Sequence, residues 1–319
     1  MDTLYLVIPC YNEDEVLPET SQRLYEKISV LIENKQIKND SKIMFINDGS
    51  KDKTWDIIED LHRKNHIFCG VNLSKNCGHQ NALYAGLMEA RKYADVVISL
   101  DADLQDDIGA INEFLKEYNN GSEIVYGVRS SRRTDTYYKK TTAHLFNKLM
   151  ISIGVDLIYN HADYRLMNRR ALDCLSNFQE VNLFLRGIVP LIGLRYSIVE
   201  YARNERVAGK SKYPLRKMIH LAWDGITSFS IKPIRIVSGL GLVIFVISII
   251  ALIYTLGSKI FGNTVPGWTS IAVSLWMIGG IQLLSLGIIG EYIGKIYSET
   301  KHRPKFIVSD ILITKNEGT

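Results

Sequence analysis

Cysteine is scarce: Cys10, Cys69, Cys77 and Cys174 are the four in 319 residues, and none stands in a CxxC pair. No histidine pair lies near them, so neither a zinc site nor a disulfide framework is expected, and they read as reduced cytosolic thiols. The seven histidines show no ligand spacing of their own. No GxGxxG follows the first predicted strand, which disfavours a dinucleotide-binding Rossmann domain, and no GxxxxGK[ST] occurs, which excludes a P-loop. Lys/Arg blocks with interleaved aromatics are missing too. With a net charge of only +4, nucleic acid is not an expected partner. A predicted strand begins at Leu4, so no signal peptide is expected.

What is present divides in two. Mean hydropathy is zero, yet a mixed, charged N-terminal two-thirds precedes a strongly apolar stretch from Ile234 to Gly290. In the first part, apolar runs at Leu4–Ile8 (stopped by Pro9), Lys42–Ile46, Ile67–Leu73 and Val96–Leu100 alternate with helical spacing over Glu13–Asn34, Thr54–Lys64 and the segment ending at Ala90. That alternation predicts βαβ units and a mainly parallel sheet. Polar residues cluster after each strand's C-terminal end, on the sheet edge where α/β folds place their ligands.

The sharpest of these clusters is Asp101-Ala102-Asp103, after Val96–Leu100. Two carboxylates one residue apart repel each other and lose hydration if packed, a cost that a divalent cation holding an anionic substrate would offset. An isolated Asp-x-Asp is more often a solvated loop. Past it, a helix to Tyr118 and a short strand at Glu123–Tyr126 lead to a polar, Arg-rich segment, Gly127–Asp135, expected as a mobile loop. Tyr137–Gly154 reads as a helix carrying Lys139 and Lys140. Asp163-Tyr164-Arg165 follows a turn, Arg195–Arg203 is a predicted strand, and Arg206, Lys210 and Lys212 sit in a basic loop.

Ile236–Ser258 and Pro266–Gly290 carry no charge, and a bilayer is crossed by about 20 apolar residues, so both are predicted transmembrane helices rather than a buried core pair. Basic residues flank the pair (Arg216, Lys217, Lys232 and Arg235 before, Lys295, Lys301, Arg303 and Lys305 after), against one lysine between the spans. The positive-inside rule then puts the N-terminal domain in the cytoplasm. Pro214–Ser230 reads as an interfacial helix, with an ordinary surface helix as the alternative. Gly290 and Gly294 form a small-xxx-small pair that leaves a homo-oligomer open.

Five stretches in this order resemble one family: Val7-Ile8-Pro9-Cys10-Tyr11-Asn12-Glu13, Asn47-Asp48-Gly49-Ser50-Lys51-Asp52-Lys53-Thr54, Gly78-His79-Gln80-Asn81-Ala82, Asp101-Ala102-Asp103-Leu104-Gln105-Asp106 and the basic loop through Ser211-Lys212-Tyr213. With two C-terminal spans, the chain resembles the polyprenyl-phosphate glycosyltransferases of glycosyltransferase family 2, among them bactoprenol glucosyltransferases and dolichyl-phosphate mannose synthases. Cys77 departs from the family, which more often has a bulkier aromatic there.

The resemblance implies a GT-A α/β domain over residues 1–213, a juxtamembrane amphipathic helix over 214–233, a transmembrane hairpin over 234–294 and a cytoplasmic tail over 295–319. It implies an inverting enzyme of the bacterial cytoplasmic membrane that moves a hexose, glucose or N-acetylglucosamine, from a UDP-sugar to undecaprenyl phosphate for cell-envelope glycosylation. Pro9, Tyr11, Asn12, Glu13, Asp48, Gly78, Asp101, Ala102 and Gln105 would hold the nucleotide-sugar; Asp103, with Asp101, would bring Mg²⁺ or Mn²⁺ to the diphosphate. Arg129, Lys139, Lys140, Arg206 and Lys212 would meet the acceptor phosphate, and Asp163, Asp103, Arg129 and Arg206 are the expected catalytic set. Each has a plainer reading: Asn12 as an N-cap, Asp48 as a turn residue, Asp163 and Arg165 as a structural ion pair, the basic residues as solvated or lipid-facing charge. His79, at the cleft edge, could equally be a polar helix start. Membrane lipid and a flippase are the further partners considered. A processive polysaccharide synthase would want more spans and a Gln-x-x-Arg-Trp string, which is absent; a non-catalytic nucleotide-sugar-binding scaffold is the remaining alternative.

Overall fold

A computed structural model covers residues 1–129, 161–181, 183–202, scattered positions between 234 and 250, and 267–314. The chain divides into two compact units, Met1–Ile151 with Asp156–Pro214 and Arg303–Thr319, and Ser152–Val155 with Leu215–His302.

The first unit is built on one eight-stranded sheet. Its strands are β1 (Leu4–Cys10), β2 (Lys42–Asn47), β3 (Phe68–Leu73), β4 (Val96–Ser99), β5 (Ile124–Arg129), β6 (His161–Asn168), β7 (Tyr196–Tyr201) and β8 (Val308–Leu312), in the order β7-β5-β6-β4-β1-β2-β3-β8. β1 through β4 are buried along almost their whole length, and they pair in parallel, as continuous apolar runs should. The helices between them are α1 (Leu17–Glu33), α2 (Thr54–Lys64) and α3 (His79–Ala90), followed by α4 (Ala110–Asn119), α5 (Arg169–Ser176) and α6 (Leu185–Leu191). Leu17, Leu24, Ile28 and Leu31 of α1 bury one face against the sheet, with Ile58 of α2 and Ile111 and Phe114 of α4 in the same core. On α3, Gly86 allows close approach: a Cβ there would stand 2.6 Å from both Val7 Cγ1 and Ile46 Cγ1.

The parallel order β3-β2-β1-β4 puts a switch point between β1 and β4, because the chain leaves β1 toward β2 and returns from β3 across α3 to β4. The crevice outside the strand ends at such a point is where open α/β sheets take ligands. The β1–β4 ladder stops at Val7 opposite Ser99, and the two strands part beyond it.

Several sequence expectations change. Pro9 does not stop β1; it lies in the strand opposite Ile46, past the last rung shared with β4, on a side where no partner strand asks for its missing N–H. α1 begins at Leu17 rather than Glu13, its N-cap is Val16 without a side-chain cap, and Asn12 caps nothing on it. Gly127, Val128 and Arg129, expected in a mobile loop, are the end of β5, paired in parallel with β7. His161, expected in a turn with Asn160, opens β6 instead, a strand antiparallel to both β4 and β5. The segment assigned to a C-terminal tail supplies β8, antiparallel to β3.

In the second unit, α7 runs over Trp268–Thr300, and Ile271, Leu275, Leu283, Leu284 and Leu286 are among its exposed apolar side chains. Counted over the described residues, no helix is long and apolar enough to cross a membrane. Most of the first predicted span lies outside those residues, as does the predicted interfacial helix.

Candidate active site

Three loops converge at the switch point. After β1, Asn12 takes a left-handed φ of 53°, a conformation an Asn tolerates better than most residues. Its Oδ1 accepts the Lys51 N–H at 2.8 Å, and its own N–H donates to Ser50 Oγ at 3.0 Å. Glu13 N–H donates to Thr54 Oγ1 at 3.0 Å. The β1 and β2 loops are thereby tied together, with Tyr11 left 39% exposed above them. Pro9, the strand residue before them, is buried.

Asp48, at the end of β2, is 2% exposed. Its Oδ1 accepts the Cys77 N–H at 2.7 Å and its Oδ2 the Gly78 N–H at 3.0 Å, so this carboxylate shapes the β3–α3 loop. Loss of hydration pushes its pKa up despite the two amides. Gly49, at φ 61°, lets that loop pack closely; a Cβ there would stand 2.5 Å from the Asn76 nitrogen. Gly78, at φ 88°, turns the chain into α3.

After β4 the Asp101–Asp103 turn is held from several directions. Thr20 Oγ1 on α1 donates to the Ala102 carbonyl at 2.7 Å. Asp103 Oδ1 accepts the Gln105 N–H at 3.2 Å. Leu104 is buried at φ 54°, strained for a side chain of its size. Tyr164 OH donates to the Asp107 carbonyl at 3.0 Å. Asp106, 4% exposed, accepts from Tyr201 OH at 2.6 Å and from Arg129 Nη2 at 3.3 Å, while Arg129 Nε reaches Tyr201 OH at 3.3 Å. Arg129 thus ends β5 beside the acidic turn, and Asp106 and Tyr201 hold its guanidinium firmly in the charged state.

Asp101 is crowded. Loss of hydration and the carboxylates of Asp106, Asp163 and Asp103 push its pKa up to about 6, with His79 pulling the other way. Such a carboxylate pair fits a hard divalent ion, and Mg²⁺ is commonly held by one or two carboxylates plus substrate phosphates. Among the described residues no group of three or more His, Cys, Asp or Glu is arranged to hold a metal. Two carboxylates on one turn fit an ion that takes its remaining ligands from substrate oxygens and water.

Across the crevice stands Asp163 on β6, 4% exposed. Its Oδ1 accepts from Arg165 Nη2 at 2.7 Å and Arg186 Nε at 3.2 Å. Its Oδ2 accepts from Arg186 Nη2 at 3.0 Å and Gln80 Nε2 at 3.3 Å, with His79 Nε2 at 3.4 Å. Burial alone would raise its pKa; Arg186, His79 and Arg165 together hold it well below the usual carboxylate range. His79 Nε2 also lies 3.7 Å from Asp101 Oδ1, bridging the two acidic groups. Loss of hydration lowers the His79 pKa, but its bond to Asp163 and the nearby Asp101 raise it overall.

The crevice thus gathers Tyr11, Asn12, Asp48, Gly78, Asp101, Ala102, Asp103, Gln105, Arg129 and Asp163 from six stretches of chain. Lys139, Lys140, Arg206 and Lys212 lie outside the described residues. Arg186 was not anticipated. The one local signal for it was a lone cation inside the otherwise apolar run Phe184-Leu185-Arg186-Gly187-Ile188.

The model of glycosyl transferase family 2 matches residues 5–176. The chain belongs to glycosyl transferase family 2. The model described as a GtrB C-terminal hairpin matches residues 232–296. The chain is 54% identical over 305 residues to the uncharacterized glycosyltransferase YkoT of Bacillus subtilis strain 168, covering 96% of this chain and 90% of that one. It is 40% identical over 307 residues to the bactoprenol glucosyl transferase of Shigella phage SfV, covering 96% and 97%. Glucosyl-3-phosphoglycerate synthase from Mycobacterium tuberculosis aligns over 71% of this chain and 78% of its own, at 16% identity and a TM-score of 0.46. The protein is a glycosyltransferase with the mostly parallel GT-A α/β sheet of its family.

Proposed function

We propose that this glycosyltransferase moves a hexose from a UDP-sugar to a polyprenyl phosphate, with inversion, at the cytoplasmic face of the bacterial cytoplasmic membrane. The observation that carries the reading is the pairing, in one crevice, of an acidic turn at Asp101 and Asp103 with a cationic wall of Arg129 and Arg186, the His79 imidazole lying between the turn and Asp163. An acidic pair suits a metal-bound diphosphate, and a cationic wall suits a second anion brought beside it. The likeness to a relative named bactoprenol glucosyl transferase supports a polyprenyl carrier, and the match to the hairpin model over residues 232–296 supports a membrane anchor. On this reading Ile236–Ser258 and Pro266–Gly290 cross the membrane, residues 1–213 form the catalytic domain and 214–233 the interfacial helix.

Tyr11 offers a ring for the uracil; Asn12, Glu13, Gly78, Ala102 and Gln105 line the nucleotide side. Asp48 acts mainly by holding the Cys77–Gly78 backbone in place. Asp103, with Asp101, would hold Mg²⁺ or Mn²⁺, which when bound supplies Lewis-acid stabilisation to the departing diphosphate. Arg129 stands where charge must be offset as two anions meet, with Lys139, Lys140, Arg206 and Lys212 as further candidates.

The bonds balance without a protein base. The acceptor's second phosphate pKa is near 6, so its oxygen is largely anionic at neutral pH. That oxygen attacks the anomeric carbon, a new C–O bond forms on the opposite face, and the bond to the β-phosphate breaks with its electron pair leaving on UDP. Catalysis is then positioning and charge stabilisation. Purified protein incubated with undecaprenyl phosphate, Mn²⁺ and a panel of UDP-hexoses should yield an organic-soluble, acid-labile sugar from one donor. Absence of product with every donor overturns the reading.

A further inference from the structure

The Asp163 cluster carries more than the reaction above requires of it. Five nitrogen donors from four residues converge on its two oxygens, between 2.7 and 3.4 Å away. A carboxylate has about four lone-pair directions, so none remains for an acceptor's proton. The donors also differ in kind. Arg165 is 1% exposed and closes the ion pair from the core side, whereas the Arg186 side chain is 41% exposed. Arg186 gives Nε and Nη2 to Asp163 in the two-toothed geometry that suits guanidinium and carboxylate. Its Nη1 makes no hydrogen bond to a described residue.

The backbone beside Arg186 belongs to the same network. The Leu185 N–H donates to Gln80 Oε1 at 3.1 Å, and the Leu185 carbonyl accepts from Arg165 Nη1 at 3.3 Å. Gln80 and Arg165 are themselves donors to Asp163. One buried carboxylate therefore fixes both the side chain of Arg186 and the peptide before it. Two guanidinium charges against one carboxylate leave an excess of one positive charge, and Arg186 lies near enough to Asp101 and Arg129 to feel both. His79 Nε2, 3.4 Å from Asp163 Oδ2 and 3.7 Å from Asp101 Oδ1, ties this cluster to the acidic turn.

We propose that Arg186 binds the phosphate oxygens at the meeting point of donor and acceptor, and that Asp163 is the positioning residue that holds it there rather than a proton acceptor. The inference rests on the functional reading above. It accounts for a carboxylate at the reaction centre of an enzyme whose nucleophile arrives already ionised.

The test is a double-mutant cycle on the full-length protein, with transfer to undecaprenyl phosphate and UDP–Mn²⁺ binding both measured. Removing one charge-stabilising donor typically costs about 10²–10³ in kcat, so Arg186→Gln should lower kcat by about that factor and leave UDP affinity within about threefold. Arg186→Lys, which keeps the charge but loses the fork, should recover only part of the loss. Asp163→Asn should fall by a similar factor and keep the acid limb near pH 6 that the acceptor phosphate sets. Residues acting as one unit are non-additive, so the double variant should be no worse than about threefold below Arg186→Gln alone.

Multiplicative losses, or an Asp163→Asn variant whose acid limb disappears, would overturn the positioning role. Unaltered kcat in Arg186→Gln would overturn the role of Arg186. Arg186 is half-exposed, so its variants should fold even where Asp163→Asn does not. A wild-type protein that makes no lipid-linked sugar defeats the functional reading, and this inference with it; an active wild type beside an indifferent Arg186→Gln defeats the inference alone.

Discussion

The two halves of the sheet bury a carboxylate in opposite ways. On the parallel side, β3-β2-β1-β4, Asp48 is satisfied by two backbone amides, and its pKa is raised by loss of hydration. On the side of β5, β6 and β7, Asp163 is satisfied chiefly by Arg165 and Arg186, and its pKa is held far down. Neutral amide donors offset only part of the cost of burying the Asp48 charge, whereas cations offset more than the whole cost at Asp163. On the proposed reading the parallel half, shaped by backbone amides, takes the nucleotide, and the other half, with its guanidinium groups, takes the anionic acceptor. Asp101 and Asp103 lie on the seam.

The largest effect is expected at that seam. Asp103→Ala should abolish transfer, with residual product below detection in a radiolabelled-donor assay and an unchanged far-ultraviolet spectrum; full activity would remove the division of labour altogether. Next comes stability. Asp163→Ala leaves Arg165 buried without its counter-charge, a loss of about 3–5 kcal/mol by the usual cost of breaking a buried pair, together with reduced transfer. Asp48→Asn still accepts one amide and should cost about 1–2 kcal/mol. Urea midpoints measure the difference, and equal losses would show that the two halves do not differ as described.

Acid should separate the two carboxylates by sign. Asp163, with its folded pKa depressed, adds stability that is fully present above its unfolded value of about 3.9 and is lost as pH falls toward the folded value. Asp48, with its folded pKa raised, is favoured in the folded state when protonated, and that contribution fades as pH rises through the folded value. Between about pH 5 and pH 2 the stability of Asp163→Asn should fall less steeply than that of the wild type, and that of Asp48→Asn more steeply. Denaturant midpoints against pH would reveal the slopes, and parallel slopes for all three proteins would contradict the assignment.

Legibility in the sequence followed the same divide. β1 to β4 announced themselves because strands buried on both faces are continuous apolar runs, and the polar residues after them marked the ligand edge. β6 did not, because Asp163 and Arg165 interrupt the pattern. The two residues lie on the same strand face, two apart, and neutralise each other with their side chains 5% and 1% exposed. The alternation with Ala162, Tyr164 and Leu166, all buried, was the trace they left. β8 is a short edge strand, half-buried or exposed along its length, and its pairing with β3 depends on tertiary structure alone. Arg186 is distant from Asp163 in sequence and joins it only through packing of α6 against β6. Pro9 fits inside β1 because the ladder to β4 has already ended at Val7, a tertiary fact that the proline itself does not signal.

The smallest expected effect sharpens the seam itself. Thr20→Val keeps the shape but removes the hydroxyl bonded to the Ala102 carbonyl, which should cost about 1–2 kcal/mol and raise the Mn²⁺ concentration needed for half-maximal transfer by a few-fold. No change in metal requirement would mean that α1 does not steady the acidic turn.

The most direct measurement of the central claim compares two acceptors that differ only at the reacting end, undecaprenyl phosphate and undecaprenol, with the same purified protein and UDP-sugar. A charged wall that receives a phosphate already serving as nucleophile predicts lipid-linked sugar from the phosphate and none above background from the alcohol. Comparable turnover of the alcohol would require a protein base and would contradict the account.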